Sequence, residues 1–114
     1  MSHKLTSNQS VIYNSELQLS GVLQITPQEI TYQHDVNSHN VLISCPVVVS
    51  ESISNYVGGF NFVLNENEWN TFFDSQSLTS TEEFDKQEEA VLKYTLTQID
   101  GNWGLSSNDW TYSS

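Results

Sequence analysis

The side chains best suited to chemistry in this chain are one cysteine, three histidines and a run of carboxylates. Cys45 lies in the apolar stretch Val41-Leu-Ile-Ser-Cys-Pro-Val-Val-Val49. A reactive thiol needs a neighbouring cation to lower its pKa. The chain has no Arg and only 3 Lys, so Cys45 reads as a small buried core residue. A single cysteine also excludes an internal disulfide. His3, His34 and His39 are the only histidines, and the last two flank a turn with Asp35 between them. A metal centre needs several convergent ligands. With no Cys pair and no His pair evident on one face, these residues read as surface turn histidines, and no metal or other cofactor is expected.

Glu82, Glu83, Asp85, Glu88 and Glu89 form the densest acidic cluster, with only Lys86 among them. Such a cluster is either a solvated helix face, with Lys86 pairing to Glu82 or Glu83 at helical spacing, or a recognition face for a basic partner. A calcium loop would need alternating Asp or Asn ligands around a central Gly, and none is present. There is no Gly-x-Ser-x-Gly elbow. Val57-Gly-Gly-Phe60 lacks the Lys and Ser or Thr of a phosphate loop. Without Arg to orient an anionic substrate, no enzymatic activity is expected.

Trp69, Trp103 and Trp110 are the remaining candidates. Trp69 has helical partners at the right spacing and reads as core. Trp103 and Trp110 lie in Gly101-Asn-Trp-Gly-Leu-Ser-Ser-Asn-Asp-Trp110, followed by Tyr112. Aromatic residues of this kind either pack a tail or anchor a protein contact, because Trp and Tyr dominate interface hot spots. The expected interface therefore comprises Trp103, Trp110, Tyr112, Glu82, Glu83, Glu88 and Glu89.

Charge narrows the partners. The chain of 114 residues carries 3 basic and 14 acidic side chains, a formal net charge of −11. Phosphate contacts are normally made by Lys or Arg, so direct binding to nucleic acid is not expected. An anionic membrane surface is excluded on the same ground. No apolar run reaches membrane-spanning length, and residues 1–10 hold no leader-like apolar core. The expectation is cytoplasmic synthesis without secretion.

The elements that must position these residues can be read from periodicity. Residues 1–10 are rich in Ser, Asn and Gln and read as an N-terminal arm, leaving 11–114 as a single β-rich domain with a Trp-containing C-terminal tail. Leu17, Leu19, Gly21, Leu23 and Ile25 alternate as a half-buried strand, with Gly21 as a bend. Thr26-Pro27-Gln28 interrupts it, and Ile30 and Tyr32 then point inward. Residues 35–40 and 50–55 carry turn chemistry. Pro46 marks its apolar run as an edge strand or a break. Phe60, Phe62 and Leu64 share one face of another strand.

The period then changes. Asn65 and Glu68 form a capping-box pair, Leu64 and Trp69 have the spacing of a hydrophobic staple, and Trp69, Phe72 and Phe73 define one face of a short helix ending near Asp74. Ser80 with Glu83 suggests a second cap and an acidic helix to Glu89. Leu92, Tyr94 and Leu96 alternate with polar residues, which favours a strand over a helix for 90–99. Asp100-Gly101 is then a hairpin turn, or a helix C-cap on the helical alternative.

The fold expected is α+β: a mainly antiparallel β-sheet, as a small sandwich or barrel, with one or two short helices between residues 65 and 90. The function expected is non-catalytic: a structural or assembly protein that binds protein partners in a homo- or hetero-oligomer. It would do so through edge strands, its arm and its tail. A small virion component of a tailed phage, from the neck, tail or capsid, is one concrete form. An acidic nucleic-acid mimic that inhibits a DNA-binding enzyme is the alternative, and a carbohydrate-binding module is a third reading.

Overall fold

The computed structural model describes residues 3–36, 39–49 and 52–113. Residues 37–38 and 50–51, inside the two expected turns, lie outside it, as do the first two residues of the arm. The elements are β1 (Lys4–Ser7), β2 (Val11–Asn14), β3 (Leu19–Gly21), β4 (Leu23–Ile25), β5 (Glu29–His34), β6 (His39–Val49), β7 (Ser52–Asn65), α1 (Glu66–Ser75), α2 (Glu83–Gln98) and β8 (Trp110–Ser113). Two 3-10 turns, Asn102–Gly104 and Ser107–Asp109, join α2 to β8. The fold is α+β and mostly antiparallel sheet.

β6 organises the sheet because it is long, apolar and paired on both sides. One side is covered by β7 along most of its length. On the other side β5 pairs with its first half and β4 with its second. β1 then joins β4, and β8 joins β1. The sheet is open, and the helices cover one face of it. Alternate residues Val41, Ile43, Cys45 and Val47 point to that face and are buried. They meet Val91, Leu92 and Thr95 of α2, with Trp69 of α1 in the same core. No helix among the described residues is long and apolar enough to cross a membrane.

Pro46 therefore sits in a central strand, not at an edge or a break. The reason lies opposite it. Ile25 pairs with Val47 and Glu29 with Ser44, so one extra residue is inserted between β4 and β5. The Thr26 N–H donates to the Pro46 carbonyl at 3.4 Å, and the Gln28 N–H donates to the Ser44 carbonyl at 2.9 Å. In an antiparallel ladder the N–H and C=O of one residue face the same neighbour. The donor that Pro46 lacks would thus point at the bulge, where the ladder is already interrupted.

Residues 4–7 are not an arm. Leu5 is fully buried in β1, which lies between β4 and β8. The strand expected over Leu17–Ile25 is divided in two. Leu23 and Ile25 are buried in β4, whereas Leu17 and Leu19 are exposed on the separate β2–β3 hairpin. The break falls after Gly21, where a Cβ would lie 3.0 Å from Val49 Cγ1. At the start of β4, Ser7 Oγ accepts the Leu23 N–H at 2.9 Å.

The capping box of α1 is present in both directions: Asn65 Oδ1 accepts the Glu68 N–H at 2.7 Å, and Glu68 Oε1 accepts the Asn65 N–H at 3.1 Å. Residues 90–99 are helical up to Gln98, which corrects the strand reading and carries the second helix past residue 90. Ala90, Val91, Leu92, Thr95 and Ile99 are all buried, a pattern that a strand could not place on one side. Ser80 does not cap α2. Glu82 holds the N-cap position without a side-chain bond. The C-cap of α2 is Ile99, not Asp100 or Gly101; Gly101, two residues further on, adopts a left-handed φ of 91°.

Candidate functional site

Four features could carry function: the free edge of β7, the expected interface residues, a buried histidine cluster and an exposed histidine pair.

β7 spans Ser52–Asn65 and contains no Asp, Glu, Lys, Arg or Pro. Among the described residues it pairs with β6 alone. The polar backbone groups of Ser44 and Pro46 face β4 and β5. Those of Ile43 and Cys45, by alternation, face β7 and engage their partners Phe62 and Phe60. The N–H and C=O groups of Gly59, Asn61 and Val63 consequently point away from the sheet. Val63 and Tyr56 are 67% and 60% exposed. Proteins commonly blunt such edges with charge, Pro, short strands or bulges; of these β7 has only the register shifts before Gly58.

The expected interface residues do not form one surface. Trp110 is buried, and its Nε1 has no hydrogen-bond partner. Trp103 is half-buried and meets Trp110 and Phe60 edge-on, with ring centroids 6.4 and 6.2 Å apart. These rings continue through Phe62, Tyr94, Phe72 and Trp69 to Phe73, tying tail, sheet and both helices together. The Trp-containing tail is thus part of the body. Its αL Trp103 (φ 54°) turns the ring onto Gly58, where an added Cβ would stand 3.8 Å from it.

The acidic cluster is divided as well. Glu82 and Glu83 are exposed, Glu88 is half-buried, and Glu89 is buried. Glu89 is not part of a solvated face: it accepts the N–H and hydroxyl of Thr79 and of Ser80, at 2.8 to 3.3 Å, and lies 3.7 Å from Lys93 Nζ. Burial pushes its carboxyl up, but the donors from Thr79 and Ser80 together with Lys93 outweigh that and hold it below the ordinary value. The loop before α2 is pinned by this one carboxylate. Glu88 moves the other way, raised by burial and by Asp85, against the opposing pull of His3.

His3 is buried and both ring nitrogens are engaged, Nδ1 with Tyr112 Oη at 2.5 Å and Nε2 with Asp85 Oδ1 at 3.1 Å. Although Glu88 is close enough to complete a ligand set, the ring is a strut between β8 and α2. Burial, with Glu89 next, raises the Tyr112 hydroxyl pKa. Sequence reasoning missed this cluster because His3 lies more than eighty positions from its partners and stood in a segment read as an arm.

His34 and His39 are exposed, as expected, but they are not independent. They are register partners at the ends of β5 and β6. Asn65 pairs with Asn40 beside them, so Glu66, the first residue of α1, arrives at the same place. The two Nδ1 atoms are 2.8 Å apart, and Glu66 Oε2 is 3.3 Å from that of His39 and 3.9 Å from that of His34. The signal available in the sequence was the turn spacing itself: two histidines flanking a hairpin turn become cross-strand neighbours when the hairpin forms.

The fold and these features define an α+β protein with an open, uncharged sheet edge. No protein-family model matches the chain, and no curated protein or solved structure matches it.

Proposed function

We propose that this chain is a non-catalytic assembly protein that joins protein partners by strand addition at β7. The observation that supports this reading is the free edge itself, regular in register from Gly58 to Asn65 and without charge or proline along the whole strand. Main-chain hydrogen bonds at such an edge supply affinity, and the exposed side chains beside it supply selectivity. The simplest occupant is a second copy of the chain, β7 against β7. A two-fold contact of this kind brings no charged side chains of β7 together, despite the net charge of −11. A small virion component of a tailed phage remains the concrete setting proposed.

The nucleic-acid-mimic reading draws less support. It needs a surface dense in exposed carboxylates, whereas Glu89 is committed to the loop and Asp85 to His3. The carbohydrate reading needs an open aromatic platform, whereas all three Trp rings are packed against other rings.

The test is the mass of the particle by light scattering at about 50 and about 500 mM salt. The expected result is an oligomer that survives high salt and is dispersed by Val63→Lys, which places charge beside the edge at an exposed position. A monomer at every concentration, or an oligomer untouched by Val63→Lys, would overturn the β7 contact.

A further inference from the structure

We infer that His34, His39 and Glu66 form a binding site for one divalent transition-metal ion of the zinc class. Three electron-pair donors, His34 Nδ1, His39 Nδ1 and Glu66 Oε2, form a triangle with sides of 2.8, 3.3 and 3.9 Å. Such a triangle has a circumradius of about 2.0 Å, so one point lies at the usual zinc–nitrogen and zinc–oxygen bond length from all three atoms. A proton shared between the two imidazoles would account for the short nitrogen–nitrogen distance. The Glu66 carboxylate beside the pair fits either that shared imidazolium charge or one bound cation, and titration with Zn²⁺ distinguishes the two.

The scaffold presents the ligands before any ion arrives. His34 and His39 are fixed opposite one another by the β5–β6 ladder. Glu66 is fixed by the capping box that starts α1 one residue earlier, at Asn65. Two imidazoles and one carboxylate are a donor set for zinc, cobalt or nickel, and a poor one for magnesium or calcium, which prefer oxygen alone. The three side chains are 41 to 57% exposed, leaving the remaining coordination positions open to water or to a ligand from a partner. The surrounding net negative charge favours cation capture.

Isothermal titration of the full chain with Zn²⁺, and with Mg²⁺ as the comparison, tests this. The expected result is one Zn²⁺ per chain and no Mg²⁺ binding. His34→Ala and His39→Ala should each weaken Zn²⁺ binding by about tenfold, Glu66→Gln should weaken it measurably, and the double histidine variant should abolish it. All three positions are exposed, so circular dichroism should show the variants folded. Absorption of the Co²⁺-loaded chain provides a second reading, since visible d–d bands of a nitrogen-ligated site should appear in the parent and vanish in the double variant. Absence of Zn²⁺ binding, binding retained by the double variant, or binding indifferent to Glu66→Gln would overturn the site.

Discussion

Cys45 Sγ lies 3.8 Å from Thr95 Oγ1, joining the middle of the central strand to the middle of α2. Thr95 Oγ1 in turn donates to the Val91 carbonyl at 2.9 Å, one helical turn back. Both side chains are fully buried. Burial pushes the Cys45 thiol up to about 11, against the smaller opposing effect of the Thr95 hydroxyl. Cys45 should therefore be unreactive toward a disulfide reagent in the folded chain at about pH 8 and should react fully on denaturation. Fast labelling of the native protein would contradict this account of the core.

The Glu89 latch has a defined pH signature. A carboxyl held below its ordinary value of 4.5 stabilises the fold above that value. The contribution disappears as pH falls through the lower, folded value. Glu89→Gln should cost about 2 kcal/mol near neutrality, because several donors lose a charged acceptor inside the structure. Urea unfolding of the parent and Glu89→Gln at about pH 7 and about pH 3 should show the difference between them narrowing in acid. A difference of constant size would show that the carboxylate charge is not what holds the loop.

The capping box offers a smaller effect. Asn65→Ala should reduce stability by about 1 kcal/mol, by leaving the Glu68 N–H without its side-chain acceptor. The denaturation midpoint measures it. An unchanged midpoint would mean that the first turn of α1 is held by packing of Trp69 alone.

Trp103 belongs to the body of the fold, so Trp103→Ala should destabilise by about 3 kcal/mol. Thermal melts read this directly. A variant of parental stability that had lost only partner binding would restore the reading of Trp103 as a docking anchor.

What was legible in the sequence was what short-range chemistry dictates. Asn65, Glu68, Leu64 and Trp69 announce the start of α1 because the cap, its reciprocal acid and the staple all lie within six residues. The helix-facing side changes from odd positions at Leu23 and Ile25 to even positions at Ile30 and Tyr32, although the Tyr32 ring is exposed rather than buried, and that change of parity is the bulge at Pro27 written in the sequence. Residues 90–99 were misread because Leu92, Tyr94 and Leu96 satisfy period two, while tertiary packing of Val91 and Thr95 against β6 decides for helix. β1 was invisible because one buried Leu in four residues makes no pattern. The exchange of Glu89 from an expected surface to an internal latch, and the meeting of His34, His39 and Glu66, depend on contacts that only the folded chain creates.

The central claim is that β7 uses its free edge. Amide hydrogen exchange at Gly59, Asn61 and Val63, followed by NMR in dilute and concentrated samples, tests it most directly. The account predicts rapid exchange when dilute and strong protection of these three amides when associated, while those of Phe60 and Phe62 are protected throughout by β6. Rapid exchange of Gly59, Asn61 and Val63 at every concentration would contradict it.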